Sequence, residues 1–119
     1  MKAYVSCNIE ALYFPGETAW ILSVPTEAVT DAALLLSGLI YGKLDRVTFT
    51  SQSCNAMLSA ADGYVLNLDG KTITATKIWV EAVLGMLLDV CLNGWTDTAH
   101  LDQDFDNISV TVAVLPPNR

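Results

Sequence analysis

The chain has 119 residues, 52% of them hydrophobic, with thirteen Asp and Glu against six Lys and Arg and a formal net charge of −7. That length holds one hydrophobic core rather than two and buries roughly two thirds of the surface the unfolded form exposes, so neither disulfides nor a structural metal are needed for folding. The acidic balance, with a pI near 4.3, argues against binding nucleic acid, which demands clustered cations, and against adhesion to anionic membranes.

Residues 3–14, AYVSCNIEALYF, place Val5, Cys7, Ile9, Ala11 and Tyr13 on one face. This period of two predicts a strand. Pro15-Gly16-Glu17 is a turn signal, and residues 18–24 read as the returning strand of an antiparallel hairpin. Thr26 then offers its hydroxyl as an N-cap, and Glu27 and Asp31 favour the positive end of a helix over about 27–41, stopping near Gly42. Nearly every position from Ala32 to Tyr41 is apolar, which leaves that helix little solvent face of its own.

From Arg46 the pattern returns to strands, with Val47 and Phe49 on one face and Thr48 and Thr50 on the other. Two Asp-Gly pairs, Asp62-Gly63 and Asp69-Gly70, are strong hairpin signals and predict a meander of strands near 56–61, 64–68 and 71–76. The second helix spans about 77–93 and stops at Asn93-Gly94. After Lys77 its only charges are Glu81 and Asp89, which lie with Gly85 on one narrow stripe. It is too short and interrupted for a membrane span of about 20 apolar residues. It is therefore a core helix covered on both sides, or one whose second face meets another subunit. Residues 98–105 and 108–115 flank Asp106-Asn107 as a last hairpin, with Ile108, Val110, Val112 and Val114 toward the core. The order ββαββββαββ gives one α+β domain over 1–115, a largely antiparallel sheet with two apolar helices, and a frayed tail at 116–119. No internal repeat or low-complexity linker interrupts it.

Cys7, Cys54 and Cys91 are odd in number and lack any zinc or redox spacing. Cys7 and Cys91 fall in apolar stretches, so the expectation is buried thiols in a reducing cytosol. The opening MKAYVSCNIE has no apolar segment of the secretory kind, which fits a cytoplasmic protein.

Residues 99–107, AHLDQDFDN, hold the chain's one histidine and three of its acids. On a strand, His100, Asp102, Asp104 and Asp106 project to one side and Leu101, Gln103 and Phe105 to the other. The Asp-x-Asp-x-Asp run imitates the start of a calcium loop, but the sixth position is Asn107 and the twelfth is Ala113, where Gly and Glu are required. Neither metal nor cofactor is expected. Catalysis is not expected either: Cys54 and His100 are the only nucleophile and base on offer, no phosphate loop or Gly-x-Ser-x-Gly motif exists, and paired carboxylates alone make a poor glycosidase cleft. The remaining reading is an acidic recognition face made of Trp95, Asp97, His100, Asp102, Asp104 and Asp106, an aromatic beside carboxylates and no Lys or Arg. A second candidate surface is formed by the loops carrying Glu17, Asp62 and Asp69. The plain structural alternative for the acidic row is a solvated edge hairpin, charged to discourage aggregation.

In overall character (one small acidic domain, an α+β pattern, no catalytic motif, and the strand HLDQDFD) the chain resembles bacterial immunity proteins of contact-dependent growth inhibition. That class shares no diagnostic motif, so the resemblance assigns no residue. It implies a basic toxin domain as partner, often a nuclease, held tightly and blocked. The alternative of a different class is a self-associating structural or scaffold domain, a homodimer formed through the apolar helices.

Overall fold

A computed structural model describes residues 4–60 and 63–117. The alternating stretches form nine strands and the two apolar runs form helices. The chain begins with β1 (Tyr4–Ser6), β2 (Asn8–Phe14) and β3 (Glu17–Pro25), then passes a 3₁₀ turn at Thr26–Ala28 into α1 (Val29–Ile40). It continues with β4 (Arg46–Thr50), β5 (Asn55–Ser59), β6 (Tyr64–Leu68) and β7 (Lys71–Ala75), then α2 (Lys77–Asn93), β8 (His100–Phe105) and β9 (Ile108–Leu115). The fold is α+β in the expected order, with the first expected strand divided in two. Five of the seven strand pairings are antiparallel; β1–β4 and β3–β9 are parallel. They build a five-stranded sheet, β1-β4-β5-β6-β7, and a four-stranded sheet, β2-β3-β9-β8.

The division falls at Cys7, where the chain passes from one sheet to the other. The Cys7 N–H donates to the Thr50 carbonyl at 2.8 Å, so the backbone stays bonded through the crossing. Val5, Cys7 and Ile9 are all buried while Ser6 and Asn8 are exposed. Alternation therefore runs through the break unchanged, and the period of two carries no sign of it.

Both sheets bury their inner faces against the same pair of helices. Val47, Phe49, Leu58, Leu66 and Leu68 of one sheet and Trp20, Leu22, Val110, Val112 and Val114 of the other belong to a single buried cluster. Leu36 and Leu39 of α1 and Val80, Val83 and Leu87 of α2 fill the space between. At the centre a void of about 20 Å³ is lined by Leu22, Leu36, Phe49, Leu66, Trp79 and Val110, so both sheets and both helices meet there. The helices also touch each other, with the Thr30 hydroxyl 3.7 Å from the Cys91 sulfur.

The local signals acted in most places as expected. Asp69 at φ 51° and Gly70 at φ 96° form the β6–β7 turn, where both central residues take the left-handed region. Asn67 Oδ1 accepts the Gly70 N–H at 2.8 Å. Asp62 lies outside the described residues, and so does the end of the tail at 118–119. Thr76 caps α2, its hydroxyl oxygen accepting the Trp79 N–H at 3.1 Å. Thr26 does not cap α1: its hydroxyl donates to the Leu115 carbonyl and ties the entry of the helix to the end of β9. A long-range partner displaced the local one.

α2 is not covered on both sides. Ile78 is 80% and Leu92 83% exposed, and Leu88 is exposed between them. Gly85 sits mid-helix on the same face, and a Cβ there would meet nothing within 4 Å. It costs the helix about 1 kcal/mol relative to alanine, with no packing gain inside the chain.

Leu36→Ala enlarges the central void and is expected to destabilise the protein by about 3 kcal/mol. Thr76→Ala removes one cap and is expected to cost about 1 kcal/mol. Urea unfolding followed by tryptophan fluorescence measures both.

Candidate recognition face

β8 is a strand because it pairs antiparallel with β9, from His100–Ala113 to Phe105–Ile108. Its other side has no partner strand, which makes it an edge of the four-stranded sheet. Inward, Phe105 is half-buried and meets Trp79 edge-on, ring centroids 5.6 Å apart. Outward, His100, Asp102 and Asp104 are exposed in one row. Asp106 leaves that row. The strand ends at Phe105, and Asp106 turns the chain at φ 55°, a left-handed conformation that Asp tolerates better than most residues.

The pairings extend each member of the row across the sheet. Asp102 stands beside Thr111, then Ile21, then Glu10; Asp104 stands beside Ser109, Ala19 and Leu12. The Thr111 hydroxyl donates to Asp102 Oδ1 at 2.6 Å and orients that carboxylate on the face. At the other end of β8 the loop before it is tightened by Thr96 and Thr98, whose hydroxyls are 3.0 Å apart with Asp97 exposed between them. Trp95, expected as an exposed aromatic anchor, is half-buried: its indole N–H donates to the Val114 carbonyl at 2.7 Å, so it braces the end of β9.

Topology adds two acids that sequence distance had hidden. Glu17, assigned at first to a separate surface, shares a groove of about 900 Å³ with Asp104 and Asp106, formed where the β2–β3 and β8–β9 turns face β7. Lys71 of β7 stands on the far wall. The four strands and the loop before β8 thus carry Glu10, Glu17, Asp97, Asp102, Asp104 and Asp106 and no Lys or Arg. Among the described residues, none of these six carboxylates has a basic side chain in ion-pair contact. The lysines and arginine of the described residues, Lys43, Arg46, Lys71 and Lys77, lie on the other sheet, its loops or the start of α2.

The other chemistry considered from sequence is not assembled. His100 is separated from Asn8, the residue after Cys7, by three strand spacings, roughly 14 Å, whereas Cys54 lies in the loop before β5 of the other sheet. No group of three His, Cys, Asp or Glu among the described residues is placed to hold a metal ion. No helix among them is long and apolar enough to cross a membrane. The cysteines differ from expectation in one case: Cys7 is buried and Cys54 half-buried, but Cys91 is exposed on α2. The stripe of Glu81, Gly85 and Asp89 is exposed, but Cys91 stands about 120° around the helix from Gly85, so that stripe gave no sign that Cys91 is exposed as well. Burial pushes the Cys7 thiol up from 9.0 to about 11, with the nearby Cys54 adding to the rise.

The raised value means that folding favours the neutral Cys7 thiol. Its contribution is whole below pH 9 and is lost as pH climbs from 9 to about 11. The urea midpoint is expected to fall across that window, and to fall less in Cys7→Ala. At pH 8 a thiol-specific disulfide reagent is expected to label Cys91 well before Cys7, as mass spectrometry of the peptides would record.

Comparison with known proteins returned no matching family model, no matching curated protein and no matching solved structure.

Proposed function

We propose that this protein is a binding protein that recognises a basic partner through the outer face and β8 edge of its four-stranded sheet, acting as an immunity protein that neutralises a toxin domain. The observation that carries the reading is the division of charge: six exposed carboxylates and no cation on one sheet. A field of one sign attracts an oppositely charged partner and can raise association to about 10⁸ per molar per second at low salt. A nuclease holds its substrate phosphates in a basic cleft, and a ridge of carboxylates competes for the same cations.

In this reading Asp102 and Asp104 form the centre of the contact, because they stand in one row on a rigid strand and Asp102 is already oriented by Thr111. Asp97 and His100 extend the contact toward one end of β8. Asp106 and Glu17 extend it toward the groove at the other. Leu12 and Phe14, both exposed on the outer side of β2, supply apolar area that charge alone lacks. Trp95 acts indirectly, by holding the strand behind the row.

The test is affinity capture with the tagged protein from lysate of its own source, at low salt and at about 0.5 M salt, where the Debye length shrinks to a few ångström. One stoichiometric basic protein is expected, released by salt. Asp102→Asn with Asp104→Asn is expected to weaken its binding at least tenfold while leaving the melting temperature within about 2 °C, since both residues are exposed. Capture that is indifferent to salt and to both substitutions would remove this surface from consideration.

A further inference from the structure

β7 is the last strand of its sheet, and its outer edge opens into the groove that Glu17, Asp104 and Asp106 border. The turn before it fixes which of its backbone groups face that groove. Asp69 and Gly70 both take positive φ, so a two-residue turn joins β6 to β7, and the closing pair, Leu68–Lys71, exchanges both of its hydrogen bonds. Leu66–Ile73 is the next such pair. Thr72 and Thr74 alternate with these residues and turn their N–H and C=O groups away from β6. Both are exposed and line the groove. Two donors and two acceptors thus stand along one wall with no strand opposite them.

This edge differs from that of β8. β8 carries acids along its length, whereas β7 has one lysine at its first position and then the uncharged run Thr-Ile-Thr-Ala. Charge that would keep another strand away is missing where the backbone is open.

The opposite wall indicates which chain would pair there. It brings three carboxylates to the groove against the single Lys71. Tyr13 and Phe14, 75% and 51% exposed, stand at the rim and offer ring faces of the kind a guanidinium covers. Thr18 lines the groove as well. It is only 8% exposed, yet its hydroxyl has no hydrogen-bond partner among the described residues. A nearly buried, unpaired polar group favours a ligand that brings it a partner.

We propose that the groove takes an extended, arginine-rich segment of the basic partner, added as a sixth strand to the free edge of β7. The inference rests on the reading above for its partner and adds a contact of a different kind beside the acidic row. Main-chain bonds to Thr72 and Thr74 fix how the segment lies. Glu17, Asp104 and Asp106 select for its cations.

The experiment uses a peptide of about eight residues in which arginine and valine alternate, with a glutamate-for-arginine peptide as control. Fluorescence anisotropy measures affinity, and amide hydrogen exchange followed by NMR locates the contact. The arginine peptide is expected to bind and to slow exchange at Thr72 and Thr74 at least tenfold; the glutamate peptide does neither. Thr72→Pro deletes a donor that faces the groove and no bond to β6, a change an edge strand tolerates. It is expected to weaken binding at least tenfold, as is Glu17→Gln with Asp106→Asn. Exchange in the unaltered chain decides the question even if Thr72→Pro folds poorly. No binding at about 1 mM, or binding that leaves both amides unprotected, would overturn the proposal. The two readings fail separately. A captured basic protein that is lost with Asp102→Asn and Asp104→Asn but kept with Thr72→Pro would retain the acidic row and remove the groove. Peptide protection of Thr72 and Thr74 beside a capture that yields no basic protein would remove the partner and retain the groove as a site for extended basic chains.

Discussion

Eight consecutive residue pairs, from Thr18–Ile108 to Pro25–Leu115, join β3 to β9 in parallel, and the rest of the structure depends on that ladder. It sets the first hairpin of the chain against the last and aligns Trp20, Leu22 and Val24 with Val110, Val112 and Val114 on the buried face. Slipping it by one residue would turn Ser109, Thr111 and Ala113 inward and expel three valines, so the register is strongly specified. Side chains fasten one end: the Thr26 hydroxyl on the Leu115 carbonyl and the Trp95 indole on the Val114 carbonyl. The ladder joins residues ninety positions apart, so the entropy of closing that loop must be met before the sheet repays it.

The same ladder creates the division of surface character. Glu10 and Glu17 arrive from the first hairpin, and Asp102, Asp104 and Asp106 from the last; only the parallel joining makes them neighbours on one cation-free sheet. The inner faces are committed to the helices, so the carboxylates have only the outside to occupy. The helices pack against both sheets and carry more apolar residues than the core covers, and the surplus emerges along α2. One side of the molecule is thus suited to charge and another to apolar contact.

Sequence patterning revealed the elements that local chemistry determines. The alternation in β4 and β9, the Asp69-Gly70 turn and the Asn93-Gly94 stop each depend on the residues within a few positions, and each lies where the sequence put it. What was hidden depends on long-range partners. A strand that changes sheets at Cys7 keeps its alternation, Thr26 prefers a carbonyl from the far end of the chain to its own helix, and a helix as apolar as α2 does not disclose that Cys91 faces out. For the recognition face, His100, Asp102 and Asp104 were legible as one row because a strand alternates. Asp106 was counted in that row although Asp106-Asn107 also read as the turn, which is where the structure has it, and Glu17 was assigned elsewhere because the neighbour that matters to it lies near the opposite terminus.

The position of Asp102 and Asp104 on an edge strand gives them two duties at once. An unpaired edge is a template for any extended chain, and charge on it is a common way of keeping other strands from adding to the sheet. The carboxylates proposed to meet a basic partner are therefore also a guard of β8 against fibril-like stacking. Removing these charges also leaves the open edge of β8 unguarded. Under the proposed function, recognition and colloidal stability rest on the same side chains, so one substitution there alters both.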